Sequence, residues 1–303
     1  VIYRVKNIIP PLAVICAALL WSLDGFLRQE LHSISSFLII TIEHTFGAIL
    51  FLPFLIKGWA KIKKLDQQGW ISLLWISICG GILGTFFYTK ALSYIDDINL
   101  SVVVLLQKFQ PFFAIALASI ILKEPITKRF LGLAGLAMIG GYLLTFGANP
   151  ISQWNDKMII AALLALLAAF SWGSSTVLGK HALNRLPFTV VTALRLTLTA
   201  AVAGIVLLYT QENLSTIQMT MPQWKVLLII VFSTGSVALF IYYYGLQRLP
   251  ASHTSIYELF WPISAMAFDW VFRGKTLEPI QIGGAILLLG AIILLTQEKI
   301  IRD

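Results

Sequence analysis

The polar residues of this chain are clustered, and between them run apolar stretches of about 18 to 22 residues, the length that crosses a ~30 Å hydrocarbon core at 1.5 Å per residue. That pattern leaves few folds open. It predicts spans near residues 10–26, 37–56, 70–92, 100–122, 130–146, 159–179, 188–209, 226–246, 254–272 and 280–296, joined by short polar gaps with no room for a soluble domain. Composition agrees: the chain is 58% hydrophobic and 12% charged, against roughly 45 to 50% and 25% in soluble proteins. The expectation is an all-α integral membrane protein of ten transmembrane helices.

No small-residue cleavage site of the A-x-A type follows the first stretch, so it reads as a retained helix and not as a signal peptide. Cys16 and Cys79 both fall inside spans. That argues against a disulfide framework or a Cys-rich metal site and for small packing residues.

A formal charge of +8 raises the question of nucleic acid, but its distribution points to topology. With the N-terminus cytoplasmic, the inner segments gather Lys57, Lys61, Lys63, Lys64, Lys123, Lys128, Arg129, Lys180 and Arg185 among others. The outer ones keep only Arg28, Lys157, Lys225, Arg273 and Lys275. This is the positive-inside asymmetry. It predicts a multi-pass protein of the cell (inner) membrane with both termini cytoplasmic.

The chain also repeats itself at a spacing of about 151 residues, the kind of self-similarity that decides architecture. Trp21 matches Trp172, Ala17-Ala18 matches Ala168-Ala169, Phe37 matches Phe188, Pro111 matches Pro262 and Gly132 matches Gly283. A three-residue offset near Asp96 to Ile98 brings Tyr88 and Leu92 onto Tyr242 and Leu246. Residues 1–150 and 151–303 thus form two five-helix repeats. An odd number of spans in each makes them inverted, an arrangement that places a solute site near the midplane and permits alternating access.

Leu20-Trp21-Ser22 and its counterpart Ser171-Trp172-Gly173, a proline within spans four and nine, and Lys123-Glu124-Pro125 before a Gly-rich fifth span together resemble the EamA family of the drug/metabolite transporter superfamily. The resemblance covers nearly the whole chain. It implies a ten-helix inverted-repeat fold, export or import of metabolites such as amino acids, and a central cavity bounded by spans one, three, four, six, eight and nine. In one departure from the pattern, Glu124 falls opposite Lys275 in the second repeat.

Charged side chains at helix centres cost roughly 2.5 to 3.5 kcal/mol on insertion scales, so those present need compensation or a use. Span four carries Gln107, Lys108 and Gln110 before Pro111, and span nine carries Glu258 four residues before Pro262. Each proline frees a carbonyl one turn earlier, so polar side chains coincide with loosened backbone, as at sites built on broken helices. The competing reading is a packing kink whose polar groups satisfy the freed carbonyls. Lys108 and Glu258 are expected to approach one another or a shared solute.

Asp24, Glu43 and His44 fall in the outer half, with Lys90 near. They read as a vestibule or proton relay, His titrating nearest neutrality, or as a structural ion cluster. Arg195, opposite His44 in the repeat, either receives a carboxylate or anchors helices through carbonyls. Trp70, Trp154 and Trp224 suit an interfacial belt. Trp21, Trp172, Tyr88 and Tyr242 recur between repeats and read as cavity lining or packing.

These features leave two main function classes, with a channel as a third that agrees poorly with an inverted repeat. The first is a secondary transporter of small organic solutes, with Lys108, Arg195 and Glu258 able to hold a zwitterion. The second is a polytopic enzyme acting on lipid-soluble substrates. The sequence lacks G-x-x-x-x-G-K-[ST] and H-E-x-x-H, so no nucleotide, cofactor, metal or nucleic acid is implied, and transport is the expectation.

Overall fold

The computed structural model describes residues 2–3, 8–31, 34–92, 94, 103, 106–147, 156–210, 219–273, 278–297 and 300–301. The offset near Asp96 to Ile98, Trp154 and Lys275 lie outside them.

Helix α1 (Ile9–Leu27) begins with Pro10 and Pro11, tolerated there because first-turn amides have no helical acceptor. Helix α2 (Ser36–Ile62) follows. Helices α3 (Gln67–Trp75) and α4 (Gly84–Leu92) run as one rod through a π-helical segment, Ile76–Leu83. Helix α5 (Gln110–Ile121) carries Pro111 in its first turn, and α6 (Lys128–Phe146) closes the first half.

The second half contains α7 (Asp156–Leu183), α8 (Phe188–Tyr209) and α9 (Met221–Ile230). A π segment, Val231–Gly235, leads into α10 (Ser236–Arg248). Helices α11 (Ala251–Tyr257), α12 (Phe260–Arg273) and α13 (Pro279–Thr296) complete it. Two-residue strands at Ile2–Tyr3 and Ile300–Ile301 pair antiparallel and bring the two ends of the chain together.

Among the described residues, seven helical stretches are long and apolar enough to cross a membrane: Ser36–Ile62, Gln67–Ala91, Lys128–Phe146, Asp156–Leu183, Phe188–Tyr209, Met221–Arg248 and Pro279–Thr296. Ile9–Asp24 and Gln110–Ile121 are shorter apolar helices. Two of the expected spans are interrupted, and for a local reason. The span expected at 254–272 is two helices, because Pro262 has no N–H to offer the Glu258 carbonyl. The chain turns there through tight bonds from Leu259 N to Ile256 O (3.1 Å) and Trp261 N to Glu258 O (3.0 Å). Pro111 acts alike: Phe109 N reaches Leu106 O at 3.1 Å just before α5.

Large apolar side chains such as Ile49, Ile120, Ile205 and Ile286 stand exposed on the outer faces, where lipid would solvate them. Small residues fill the interior. Ala17, Ala18, Ala168 and Ala169 are fully buried, letting α1 and α7 approach their neighbours closely. Helix α1 packs on α10 and α12, α7 on α4 and α5, α2 on α8, and α6 on α13. Each pairing joins the two halves.

Capping repeats as well. Thr127 caps α6 by accepting from Phe130 N at 2.9 Å. Glu278, 151 positions on, caps α13 in a reciprocal box with Gln281.

Candidate functional site

The two breaks and the two π segments face a common cavity of about 540 Å³, within the 300 to 1,000 Å³ range typical of small-molecule sites. Trp21, Asp24, Glu43, His44, Tyr88, Gln107, Lys108, Pro111, Trp172, Arg195, Tyr242, Glu258 and Pro262 all line it. Residues from opposite ends of the chain therefore share one wall.

Glu258 sits where α11 ends, at the proline-induced turn. Its Oε1 accepts from Tyr242 (2.6 Å) and Thr176 (3.3 Å), and its Oε2 accepts from Gln110 (2.5 Å). The Thr176 and Tyr242 hydroxyls are also 2.9 Å apart. Helices α5, α7 and α10 thus converge on one carboxylate through neutral donors. Lys108 does not pair with it. Its Nζ donates to Thr145 Oγ1 on α6, and Thr145 in turn donates to Gly141 O at 2.7 Å. Across the turn at Lys108 and Phe109, Lys108 goes to Thr145 while Gln110 goes to Glu258, which depth alone could not foretell.

Asp24 and Glu43 share a cation, but it is Arg28 and not Lys90. Arg28 Nε donates to Asp24 Oδ2 and its Nη2 to Glu43 Oε2 at 2.8 Å, while Thr234 donates to Asp24 Oδ1 at 2.6 Å. Arg28 lies four residues beyond Asp24, one helical turn, so the spacing held this signal. Lys90 instead lies over the Tyr94 ring at 5.8 Å. His44 Nδ1 faces Ile40 O at 2.9 Å, an acceptor, so that nitrogen carries the proton.

Arg195 donates from Nη1 to Tyr243 OH at 2.7 Å, with its guanidinium 5.6 Å from that ring. Among the described residues its Nε is buried without a partner, as are Ser175 Oγ and Gln107 Oε1. Gly80, Gly81, Ser175 and Thr176 join the lining without having been expected there. Their signal was present: a Gly pair at mid-span, and a polar run Ser174-Ser175-Thr176 just after Trp172. The π turn at Ile76–Leu83 loosens i to i−4 bonding, and Thr199 reaches across to Ser77 O at 3.2 Å.

The recurring aromatics pair crosswise. Trp21 meets Tyr242 at a centroid distance of 5.1 Å and 54°, and Trp172 meets Tyr88 at 5.7 Å and 57°. Each tryptophan takes the tyrosine of the other half, and the two pairs share nearly the same geometry.

Outside the cavity, Arg185 Nε meets Asp66 Oδ1 at 2.9 Å. That hydrogen bond holds the exposed Asp66 carboxyl below its usual range. Ser72 Oγ lies 2.7 Å from His181 Nδ1.

Membrane-length apolar helices around a polar cavity built on interrupted helices define a polytopic membrane protein that handles a small solute. The sequence model of the EamA-like transporter family matches residues 9–146 and again residues 159–297. The chain belongs to this family of the drug/metabolite transporter superfamily, and it is a multi-pass membrane transporter of small molecules.

It is 37% identical over 285 residues to "Riboflavin transporter ImpX" of Fusobacterium nucleatum, covering 93% of this chain and 95% of that protein. It is 24% identical to "Uncharacterized transporter YoaV" of Bacillus subtilis over 91% and 93% of the two chains. A protein of Brucella anthropi named "Riboflavin transporter" is 23% identical over 49% of this chain and 48% of its own length. One solved crystal structure superposes on 94% of each chain with a TM-score of 0.76 at 17% identity, a likeness of fold alone.

Proposed function

We propose that this protein is a secondary transporter of riboflavin or a closely related planar, uncharged solute. The observation that carries the reading is the crosswise aromatic pairing of Trp21 with Tyr242 and Trp172 with Tyr88 on the cavity wall. Aromatic faces contributed by both halves suit a flat conjugated ring, which gains from offset stacking as well as burial. The Fusobacterium relative's printed substrate agrees with that chemistry. Glu258 and Gln110 would meet the hydroxyls of a polyol chain, a neutral group for which a carboxylate is a strong acceptor.

The amino-acid reading has Lys108 and Arg195 hold a zwitterion together with Glu258; against it, Lys108 is engaged by Thr145 and Arg195 by Tyr243. Family membership favours transport over the lipid-enzyme alternative.

In this reading residues 1–150 and 151–303 are inverted five-helix repeats, ten helices in all, rocking about the cavity in a cell membrane with both termini cytoplasmic. Support comes from the helix pairings: applying the 151-residue offset turns α1 on α10 into α7 on α4, and α1 on α12 into α7 on α5. Tyr243, Leu246, Ile256 and Tyr257, neighbours in sequence of the cavity residues Tyr242 and Ser255, are fully buried.

Flux of labelled riboflavin into proteoliposomes, with and without a pH gradient and beside a labelled amino-acid mixture, tests this. Saturable riboflavin flux lost in Trp21→Ala and Trp172→Ala is expected. Flux of amino acids alone would return the zwitterion reading. A reporter at the C-terminus that is active only outside the cytoplasm would overturn the topology.

A further inference from the structure

Asp24, Glu43, Glu124 and Glu258 are buried or half-buried carboxylates, and they are held in different ways. Asp24 and Glu43 share the Arg28 guanidinium, which can only donate. Glu124 accepts from two backbone N–H groups and Ser252 Oγ, and a backbone N–H likewise cannot turn round and accept. Protonating any of these three takes an acceptor away from a fixed donor. Glu258 differs, because two of its three donors are hydroxyls, and a hydroxyl both donates and accepts.

Those hydroxyls form a chain with an acceptor at its far end. Tyr242 OH lies 2.6 Å from Glu258 Oε1 and 2.9 Å from Thr176 Oγ1, which is 3.3 Å from Trp172 O. With Glu258 ionised, Tyr242 and Thr176 donate toward the carboxylate. With a proton on Oε1 the chain runs the other way: the carboxyl O–H donates to Tyr242, Tyr242 to Thr176, and Thr176 to the Trp172 carbonyl. Gln110 donates to Oε2 in both states. No heavy atom has to move, so the site takes up a proton without leaving a buried polar atom unpaired.

The charged groups around it are engaged elsewhere. Helix α11 packs on α1, α5, α7, α10 and α13. Asp24 of α1 is held by Arg28 and Thr234, Lys108 before α5 donates to Thr145, and Lys180 of α7 donates to Leu246 O and Gln247 O. Tyr243 of α10 accepts from Arg195 of α8, and α13 carries no charged residue. His44 lines the same cavity from α2, with its Nδ1 on Ile40 O.

We infer that Glu258 is a proton site in the cavity, and that proton and solute displace one another there, so that the carrier exchanges protons for solute. This rests on the planar-solute reading above and deepens it. Hydroxyls of the solute bond a charged acceptor roughly twice as strongly as a neutral one. The ionised carboxylate therefore holds the solute, and the protonated one, with its hydroxyl chain satisfied internally, lets it go. As solute binds, the proton leaves Oε1 for water on the side the cavity then faces; as solute departs on the other side, a proton from water there returns to Oε1.

The test uses full-length protein in lipid nanodiscs and riboflavin as the probe, titrated calorimetrically from about pH 8 to about pH 5 in buffers of different protonation enthalpy. Wild-type affinity should fall about tenfold toward the acid end, with protons released on binding wherever affinity changes with pH. Glu258→Gln should bind at one weakened affinity across the range and release none. Thr176→Val loses only a long bond to the ionised form but leaves Tyr242 without an acceptor once Glu258 is protonated, so it should hold riboflavin to a lower pH than wild type. If Glu258→Gln binds too weakly to titrate, wild-type proton release and the Thr176→Val profile decide. Wild-type affinity independent of pH, proton uptake in place of release, pH dependence retained in Glu258→Gln, or a Thr176→Val profile that stays put or moves the other way overturns the exchange and leaves the planar-solute reading standing. Wild-type protein that binds no riboflavin at any pH overturns both.

Discussion

The Tyr242 hydroxyl donates to Glu258 Oε1 at 2.6 Å, and among the described residues no ion pair joins a cation to that carboxylate. Hydrogen bonds to a charged acceptor are worth about 1.5 to 3 kcal/mol, so Tyr242→Phe should destabilise the protein by roughly 2 kcal/mol. In a Glu258→Gln background the acceptor is neutral, and the same substitution should cost less than half as much. A double-mutant cycle in detergent measures the coupling. Equal costs in both backgrounds would show that the carboxylate is not what Tyr242 stabilises.

Lys108 and Glu258 have separate partners, Thr145 on one side and Gln110, Thr176 and Tyr242 on the other. Independent sites add within about 0.5 kcal/mol. Lys108→Met combined with Glu258→Gln should therefore equal the sum of the single effects in thermal unfolding. Rescue of one by the other would reinstate a direct pair.

Arg28 is the cation shared by Asp24 and Glu43. Its removal in Arg28→Met strands a carboxylate that is only 7% exposed. Breaking a buried pair this way costs about 3 to 5 kcal/mol, and the lower end applies because the arginine side chain is 33% exposed. Adding Glu43→Gln should recover part of the loss, since only the less buried Asp24 carboxylate is then left without its cation. Folded yield by size exclusion on the two variants checks the order.

Glu124 ties the loop before α6 to the start of α11. It accepts from Ala251 N (2.7 Å), Ser252 N (3.0 Å) and Ser252 Oγ (2.6 Å). Glu124→Ala should lower stability by about 2 to 4 kcal/mol and loosen the anchoring of α11. A cysteine placed at Ser255, which lies on that helix, lines the cavity and is fully buried, should then label faster. Unchanged labelling would confine Glu124 to a purely local capping role.

Helices α6 and α13 touch at Gly140 and Gly284, where an added Cβ at 140 would lie 2.7 Å from Leu288 N and 2.8 Å from Gly284 O. Both neighbours are backbone, which cannot rotate away, so Gly140→Val should separate the helices and abolish folded yield. Gly132, with nothing within 4 Å of its Cβ position, should accept the same substitution with little loss.

The apolar stretches, the repeat and the two proline breaks could all be read from the chain, because each is a property of local sequence: apolar length answers to bilayer thickness, and a missing N–H acts wherever proline stands. The residues at those breaks, Gln107 and Glu258, and the recurring Trp21, Trp172, Tyr88 and Tyr242 could be singled out on the same grounds. Which groups meet was another matter. Lys108 turns to Thr145, Arg28 bridges Asp24 and Glu43, and Ser175 and Arg195 both pack against Gly80.

Those outcomes depend on how far each helix is rotated about its axis, and a shift of one residue moves a side chain by about 100°. Span length does not fix that rotation. It is set by close packing of small residues between the halves, Ala17 and Ala18 in one and Ala168 and Ala169 in the other, and by π turns that re-aim the helical turns beyond them. Sequence alone marked the apolar lengths and the proline breaks; interhelical packing decided which charges are paired and which polar atoms, among the described residues, are left without a partner.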